Sequence, residues 1–288
     1  MSILSFRFGT VGSPSSTPKK PGGSVGAVIQ IADLGLDGLE LGWVRSVRVS
    51  EKTCALIKDT AQEHDVSISV HAPYFINLNA DDDEWPKSRK RLMDAAHYGY
   101  LAGATDIVFH PGSYFERPPE EVLPLAIDRL AGCLEEIRSD GNTVTLRPET
   151  MGKSAMLGSL EDTLLMSQEI EGVEPCIDFA HLHARPGDGS MNTYDEWARV
   201  LEVYGNALGD RALQNLHTHL SGIEYSPKGE KNHLPIEESD LNLSALLQAL
   251  NDFKCSGHIY TESPDEHLEG DALIAQRIWM EISGEVKT

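Results

Sequence analysis

The sequence has no long run of hydrophobic residues, which excludes a membrane-spanning helix of ordinary length. Residues 1–9 also lack the charged start and the long apolar stretch of a signal peptide. The four cysteines, Cys54, Cys133, Cys176 and Cys255, lie far apart and form no CxxC pair. We therefore predict a cytoplasmic protein whose thiols are free and mostly buried, as is usual in a reducing compartment.

Nucleotide-binding glycine motifs are also missing, because the chain contains neither GxGxxG nor a P-loop. Basic residues are scarce, with 24 Lys and Arg against 45 Asp and Glu and a net charge of −21. A protein that binds nucleic acid broadly usually carries a basic surface, so this charge argues against general affinity for nucleic acid. A cluster of metal ions would still supply strong local positive charge. The simplest explanation of the acidic surface is solubility.

Eight short apolar runs alternate with helical patterns along the chain. The predicted strands cover residues 5–9, 38–41, 67–70, 106–109, 143–147, 173–177, 212–216 and 258–260. The predicted helices cover residues 25–34, 51–64, 85–103, 119–139, 159–169, 193–204, 241–253 and 271–282. This alternation, at about the length of one βα unit per repeat, predicts parallel strands. From the count of eight we predict an α/β fold, a (β/α)8 TIM barrel that forms a single domain over residues 1–288.

Residues of metal-binding type follow most of the predicted strands. They are His71, His110, Glu149, Asp178, His181, His219 and Glu262. In a closed parallel barrel these positions share one rim, whereas an open sheet would gather its site at one switch point. Imidazole and carboxylate without thiolate suit Zn²⁺ or Mn²⁺, and more than four ligands imply more than one metal. Glu149 and Glu262 are the candidate catalytic carboxylates, because each offers two oxygens that metals can share.

Three positions near these ligands have open roles. His217 and His219 are two residues apart and share a face of a strand, so either could be the ligand and the other could contact substrate. His183 follows His181 in a predicted loop, where it would support the ligands or contact substrate.

One predicted helix begins with four cations, Lys87, Arg89, Lys90 and Arg91. These side chains could grip phosphate groups. A solvated helix surface is the more common role of such a run, and we favour it.

The strand ends carry longer motifs that follow one another in a recognisable order. They are His71-Ala72-Pro73-Tyr74 with Ile76-Asn77-Leu78, Phe109-His110-Pro111-Gly112-Ser113, Pro148-Glu149-Thr150, Cys176-Ile177-Asp178-Phe179-Ala180-His181, His219-Leu220-Ser221 and Glu262-Ser263-Pro264-Asp265. With these motifs the chain resembles endonuclease IV, the zinc-dependent apurinic/apyrimidinic endonucleases (AP endonuclease family 2) among the xylose isomerase-like TIM barrels. It looks like a divergent, archaeal-type member.

The resemblance implies a site of up to three zinc ions. It assigns His71, His110 and Glu149 to the first metal, Glu149, Asp178, His219 and Glu262 to the second, and His181 to the third. It also implies that Tyr74 and Phe75 contact the DNA at the lesion.

The third metal is where the sequence departs from the family pattern. The family uses an Asp-x-His pair, and this chain has Glu230-Lys231-Asn232-His233 instead. Glu230 and His233 are three apart, so a regular strand would send them to opposite faces. A turn at Gly229 could still bring them together, and we expect two firmly held metals and a third that exchanges.

The function implied by the resemblance is a hydrolase that cuts DNA on the 5′ side of abasic sites with a metal-bound hydroxide, as a DNA repair enzyme. The alternative is a metal-dependent sugar or sugar-phosphate isomerase or epimerase on the same barrel, with a small sugar as its substrate. The acidic charge favours that alternative slightly. A metal-binding protein without catalytic activity is a third hypothesis.

Overall fold

The computed structural model describes residues 5–285 as twelve strands and nine α-helices. The strands are β1 (Phe6–Val11), β2 (Gly38–Gly42), β3 (Ser67–His71), β4 (Asp106–Phe109), β5 (Gly112–Ser113), β6 (Thr145–Pro148), β7 (Met156–Leu157), β8 (Cys176–Asp178), β9 (Leu216–Leu220), β10 (Gly222–Ser226), β11 (Gly229–Leu234) and β12 (Gly257–Thr261). The helices are α1 (Gly23–Asp33), α2 (Glu51–His64), α3 (Trp85–Leu101), α4 (Pro119–Ser139), α5 (Leu160–Glu169), α6 (Phe179–Ala184), α7 (Tyr194–Leu208), α8 (Leu243–Asp252) and α9 (Leu268–Ser283).

Eight of these strands form one parallel sheet in the order β6-β4-β3-β2-β1-β12-β9-β8. The two outer strands, β6 and β8, approach each other through the isolated bridges Leu146–Val173 and Glu149–Cys176. These bridges bring the sheet round into a nearly closed barrel. The predicted (β/α)8 TIM barrel is therefore confirmed.

The barrel strands are buried on both faces, because side chains fill the interior and helices cover the outside. Every residue of β4 and β9 is buried. The outer layer of the core packs large side chains such as Ile57 of α2, Leu92 of α3 and Trp197 of α7 against the strands, each with an exposure of 0%. Burial of each such side chain stabilises the fold by roughly 1.5–3 kcal/mol. Within residues 5–285 no helix is long and apolar enough to cross a bilayer.

A buried ion pair crosses the lower end of the barrel, opposite the strand ends that carry the candidate ligands. Arg147 of β6 donates from Nε to Asp106 Oδ1 of β4 at 2.6 Å, and both residues are buried. Arg147 also donates to the carbonyl of Pro175 at 3.3 Å and to that of Asn215 at 3.4 Å. One guanidinium therefore joins β4 and β6 to the segments that enter β8 and β9.

Several element boundaries differ from the sequence-based prediction. The seventh barrel strand was expected at residues 212–216, but Ala212–Gln214 is a 3₁₀ turn and the strand is β9. The sixth was expected at 173–177, but β8 begins only at Cys176 because the preceding Pro175 has no N–H for the ladder. His183, placed in a loop by the sequence, lies in α6.

Side chains cap the starts of α2 and α7. Ser50 Oγ accepts from the backbone N–H of Thr53 at 3.1 Å, and Glu196 accepts from the backbone N–H of Thr193 at 2.8 Å. All four cysteines are buried and free, as predicted.

Candidate metal centre

The seven strand-end ligands predicted from the sequence converge on the C-terminal rim of the barrel. His71 ends β3, His110 follows β4, Glu149 follows β6, Asp178 ends β8, His181 lies in α6, His219 lies in β9, and Glu262 follows β12. Six barrel strands, or the turns that leave them, place these side chains, and β8 with α6 supplies both Asp178 and His181. The rigid sheet thus sets the spacing between them.

Glu149 is the centre of this group. Its side chain is fully buried, and its Oε2 atom lies 3.2 Å from Nε2 of His71 and 3.2 Å from Nε2 of His110. Its Oε1 atom lies 3.2 Å from Nδ1 of His181 and 3.4 Å from Nδ1 of His219. The two oxygens of one carboxylate therefore face two different pairs of histidines, which is the arrangement that a shared ligand requires.

The ligand atoms form overlapping groups in which every atom lies within 4.8 Å of the others. Four groups consist of strand-end ligands and His233: His71, His110 and Glu149; Glu149, Asp178, His219 and Glu262; Asp178, His181 and His233; and His71, His219 and Glu262. A fifth group is Cys176, His217 and His219. Glu149 and Asp178 each belong to two of the first three groups. The structure thus brings together the sets that the resemblance implied for a first and a second metal.

The hairpin of β10 and β11 supplies the side chains that were expected for a third metal. Nε2 of His233 lies 3.3 Å from Nε2 of His181, and Oε2 of Glu230 lies 3.6 Å from the same nitrogen. Glu230 and His233 therefore both face His181, although they are three residues apart in the sequence.

A β-bulge explains how this spacing works. The register between the two strands shifts between Glu224 and Tyr225, so that Lys231 is an extra residue on β11. A bulge restores the facing of side chains that strict alternation would separate. Because of it, Glu230 and His233 point to the same side, and the turn at Gly229 is not what brings them together.

Unpaired buried atoms show that the centre fits a divalent cation. Glu149 Oε1, Asp178 Oδ2 and His219 Nδ1 are buried and have no hydrogen-bond partner among the described residues. Buried acceptors without a donor cost free energy, most of all when they carry charge. A cation among them would satisfy all three, and the imidazole and carboxylate atoms suit Zn²⁺ or Mn²⁺.

The protonation of the histidines points the same way. Burial alone would lower the pKa of His71, but its hydrogen bond to Glu149 and the charge of that carboxylate raise it to about 9. Burial also opposes the charged form of His181, yet Asp178 and Glu149 raise its pKa well above the ordinary value. The carboxylates of the centre thus stabilise positive charge close to them. Protons on the histidines supply that charge without metal, and a bound metal ion would replace those protons.

Of the two aromatic residues expected to contact substrate, Tyr74 lies at the opening of the centre. Tyr74 is 47% exposed and Phe75 is 62% exposed. The Tyr74 ring stacks on His110 with centroids 4.9 Å apart. A cavity of about 320 Å³ is lined in part by Tyr74, His233 and Glu262.

The structure places the other two candidate substrate residues away from this opening. His217 is 1% exposed and points into the barrel, where its Nε2 lies 2.8 Å from Glu40 Oε2. His183 is fully buried beneath the hairpin, with Nε2 3.0 Å from Asp240 Oδ1. These placements favour supporting roles for both histidines. They also make His219 the one of the pair that faces the centre.

Glu40 was not among the site residues predicted from the sequence. It is fully buried in β2 and contacts both His217 and His219. An acidic residue in an apolar strand gives the only local signal, and that signal does not reveal the partner strand.

Cations are distributed unevenly over the surface. The four cations at the start of α3 are paired: Lys87 and Arg91 with Glu84, Arg89 with Glu136, and Lys90 with Asp94. This favours the solvated-surface interpretation of that run. Six exposed cations, five in loops that follow barrel strands and one in the turn between β10 and β11, have no carboxylate of residues 5–285 within ion-pair distance. They are Lys19, Lys20, Arg45, Arg48, Lys153 and Lys228.

The fold and the rim together define a TIM barrel with a candidate multinuclear metal centre. The chain belongs to the xylose isomerase-like TIM barrel family, which it matches over residues 28–281. It is 36% identical over 276 residues to an uncharacterized protein of Methanocaldococcus jannaschii, covering 96% of this chain and 97% of that one. It is 30% identical over 167 residues to a probable endonuclease 4 of Staphylococcus carnosus, covering 55% of this chain and 53% of that one. The match thus spans about half the length of the endonuclease 4 relative.

Solved structures share the barrel. Endonuclease IV from Thermus thermophilus superposes with a TM-score of 0.72 at 22% identity, over 96% of this chain and 99% of that one. A D-tagatose 3-epimerase-like protein superposes with a TM-score of 0.66 at 20% identity, over 97% and 98%. At these identities the likeness shows the fold and leaves the chemistry to the site.

Proposed function

We propose that this protein is a metal-dependent phosphodiesterase of the endonuclease IV type, which hydrolyses DNA on the 5′ side of abasic sites. The observation that carries the proposal is the number and overlap of the ligands. Three groups of metal-binding atoms overlap, because Glu149 belongs to the first and second groups and Asp178 to the second and third. Adjacent metals suit displacement at phosphorus, where the attacking and leaving oxygens must both be stabilised.

The side chains of the three groups would hold Zn²⁺, or Mn²⁺ as the second choice. When bound, these cations would polarise a phosphodiester oxygen and promote the ionisation of water at neutral pH. Glu149 would keep two cations close together, because its oxygens face different histidines. Glu262 would close the side of the centre that faces the cavity.

Residues around the opening would bind the DNA. Tyr74 and Phe75 are exposed aromatic residues, and the Tyr74 ring stacks on His110, which suits stacking against nucleotides next to the lesion. The six unpaired cations of the rim loops would contact phosphates. Because the rest of the surface is acidic, affinity for intact DNA would be low and binding would depend on the lesion. Free buried thiols and the DNA substrate both suit the cytoplasm.

The second candidate is a sugar epimerase, since the D-tagatose 3-epimerase-like protein has the same barrel. The cavity of about 320 Å³ is large enough for a small sugar. An epimerase would not need three overlapping ligand groups, and this difference places it second.

The test uses zinc-loaded and manganese-loaded protein with a duplex that carries one tetrahydrofuran abasic analogue. This analogue cannot be cut by β-elimination, so a nick reports hydrolysis. We expect one nick on the 5′ side of the lesion that leaves a 3′-hydroxyl, which a polymerase can extend. The matched intact duplex should remain uncut. Absence of any nick from protein that retains its metal, together with epimerisation of a ketose, would favour the second candidate.

A further inference from the structure

Glu40 makes three hydrogen bonds inside the barrel, below the metal centre. Its Oε1 atom lies 2.9 Å from Nε2 of His219, and its Oε2 atom lies 2.8 Å from Nε2 of His217. Oε2 also accepts from Oγ of Ser69 at 2.7 Å. The carboxylate has an exposure of 0%, so water does not compete for these contacts.

These contacts determine where His219 carries its proton. An ionised carboxylate accepts hydrogen bonds and donates none, so the Nε2 atom that faces Glu40 must carry hydrogen. In the neutral ring Nδ1 then keeps its lone pair. Nδ1 of His219 has no hydrogen-bond partner among residues 5–285, and it lies 3.4 Å from Glu149 Oε1 and 3.7 Å from Glu262 Oε2. The lone pair therefore faces the two carboxylates of the centre.

We propose that Glu40 is a positioning residue that holds His219 as an Nδ1 metal ligand. It fixes the tautomer and the orientation of the ring, and its negative charge makes the imidazole a stronger ligand. The inference rests on the metal centre of the proposed function and is independent of the DNA substrate. It assigns a role to an acidic residue that lies outside every ligand group of the centre.

His217 completes the arrangement. Its Nε2 contact occupies the second oxygen of Glu40, which prevents the carboxylate from rotating away from His219. His217 and His219 are two residues apart in β9, so the two rings lie on one face of the strand. Glu40 is thus held between two donors from the same strand.

The variant Glu40→Gln separates this role from simple packing. Glutamine has the same shape, but it offers one oxygen acceptor and an NH₂ donor to three groups that all donate. One histidine must then present Nε2 as an acceptor or lose its contact. We expect the variant to fold and to lose about 10- to 100-fold in affinity for the metal that His219 holds.

Cobalt is the probe, because Co²⁺ bound to nitrogen and oxygen ligands absorbs visible light. Metal-free protein is titrated with Co²⁺, and circular dichroism checks the fold. Asp162→Asn is the matched control, because Asp162 is another buried carboxylate that accepts from Gly158 N–H and Ser159 N–H at 2.9 and 2.8 Å, away from the ligand groups. It should lower stability and leave Co²⁺ affinity unchanged. Wild-type Co²⁺ affinity and an unchanged spectrum in Glu40→Gln would overturn the proposal.

A second background tests whether Glu40 acts through His219. His219→Ala removes the ligand, so adding Glu40→Gln to it should cause no further loss of Co²⁺ affinity. An additional loss equal to that of the single variant would show that Glu40 acts by another route.

A third measurement keeps the proposal testable if Glu40→Gln does not fold. In zinc-loaded wild-type protein with ¹⁵N-labelled histidine, His219 should show a protonated Nε2 and a metal-shifted Nδ1. The reverse pattern would contradict the assignment. None of these measurements uses DNA, so failure of the nuclease assay leaves their outcome unaffected.

Discussion

At the scale of single residues, substitution of Glu149 has the largest predicted effect on bound metal and on activity. Glu149→Gln removes the charge that faces four histidines while keeping the side chain's shape. A neutral amide cannot balance two cations, so bound metal should fall sharply and phosphodiesterase activity by more than about a hundredfold, beyond the range typical of residues that only support ligands.

Metal analysis and circular dichroism check this prediction together. The fold should remain, and the control Glu169→Gln, an exposed residue at the end of α5, should behave as wild type. Wild-type metal content in Glu149→Gln would remove this residue from the centre.

His233 belongs, with Asp178 and His181, to the ligand group that lies nearest to solvent. It is partly exposed, and its neighbour Glu230 has a side-chain exposure of 17%. We therefore predict that His233→Ala lowers the retention of one metal equivalent and leaves the others in place. Zinc content after reconstitution and long dialysis measures this. Loss of all equivalents would show that the groups bind as one unit.

The same residues show how much of the site the sequence could predict. The motif ligands were predictable because each follows an apolar run, and the barrel gathers the ends of such runs. The joint facing of Glu230 and His233 was not, because a bulge depends on how two strands pair. Glu40 was missed because its role depends on His217 and His219, which lie far along the chain.

At the scale of elements, the strands near the start of the chain were the most predictable. β4 was predicted with its observed bounds, and β2 and β3 each extend one residue further than predicted. Their apolar runs suit a strand that is covered on both faces. The bounds of β9 were predicted too early in the chain, because the strand buries His217, Thr218 and His219, which are polar. Hydrogen bonds from the two histidines to Glu40 on another strand make this burial possible.

The ion pair of Asp106 and Arg147 ties four parts of the barrel together. Asp106→Asn removes the nearer of the two carboxylates that pair with Arg147, at 2.6 Å, and leaves Glu174 at 3.0 Å. The variant should therefore destabilise the fold, but by less than the roughly 3–5 kcal/mol expected when a buried charge loses every partner. Burial would raise the pKa of Asp106, but the charge of Arg147 lowers it well below the ordinary value. Its stabilising contribution is therefore complete above the unfolded pKa of about 4 and is lost as the pH falls through the folded pKa.

Urea unfolding at pH 7 and at lower pH measures both effects. The wild-type protein should lose stability on acidification, and Asp106→Asn should lose less because it has already lost this contribution. Asp128→Asn, on the exposed side of α4, serves as the control. Equal acid sensitivity in Asp106→Asn and wild type would contradict the assignment.

At the scale of the whole molecule, the unpaired cations of the rim predict where a polyanion binds. The double variant Lys19→Ala and Lys20→Ala should weaken binding to abasic duplex and reduce the dependence of log K on log salt by up to about 2. The control is Lys87→Ala with Lys90→Ala, whose lysines are paired with acids on α3. Binding isotherms across a salt series measure both. An equal effect of the two double variants would argue against the rim loops as the binding face.

The barrel closes between β6 and β8 through two isolated bridges and not through a regular ladder. One bridge, Glu149–Cys176, carries the central ligand, and Asp178 and His181 follow on the other side of the gap. Metal that joins these side chains would therefore link the two strands where isolated bridges replace a regular ladder. At a free metal concentration about a thousandfold above the dissociation constant, metal binding stabilises the folded protein by about 4 kcal/mol. Hydrogen exchange should slow at the backbone amides of Leu146, Thr150 and Glu174, which donate across this junction, when zinc is added, and much less at β2 and β3. Uniform slowing over all strands would mean that the metal stabilises the whole barrel and has no separate effect on the junction between β6 and β8.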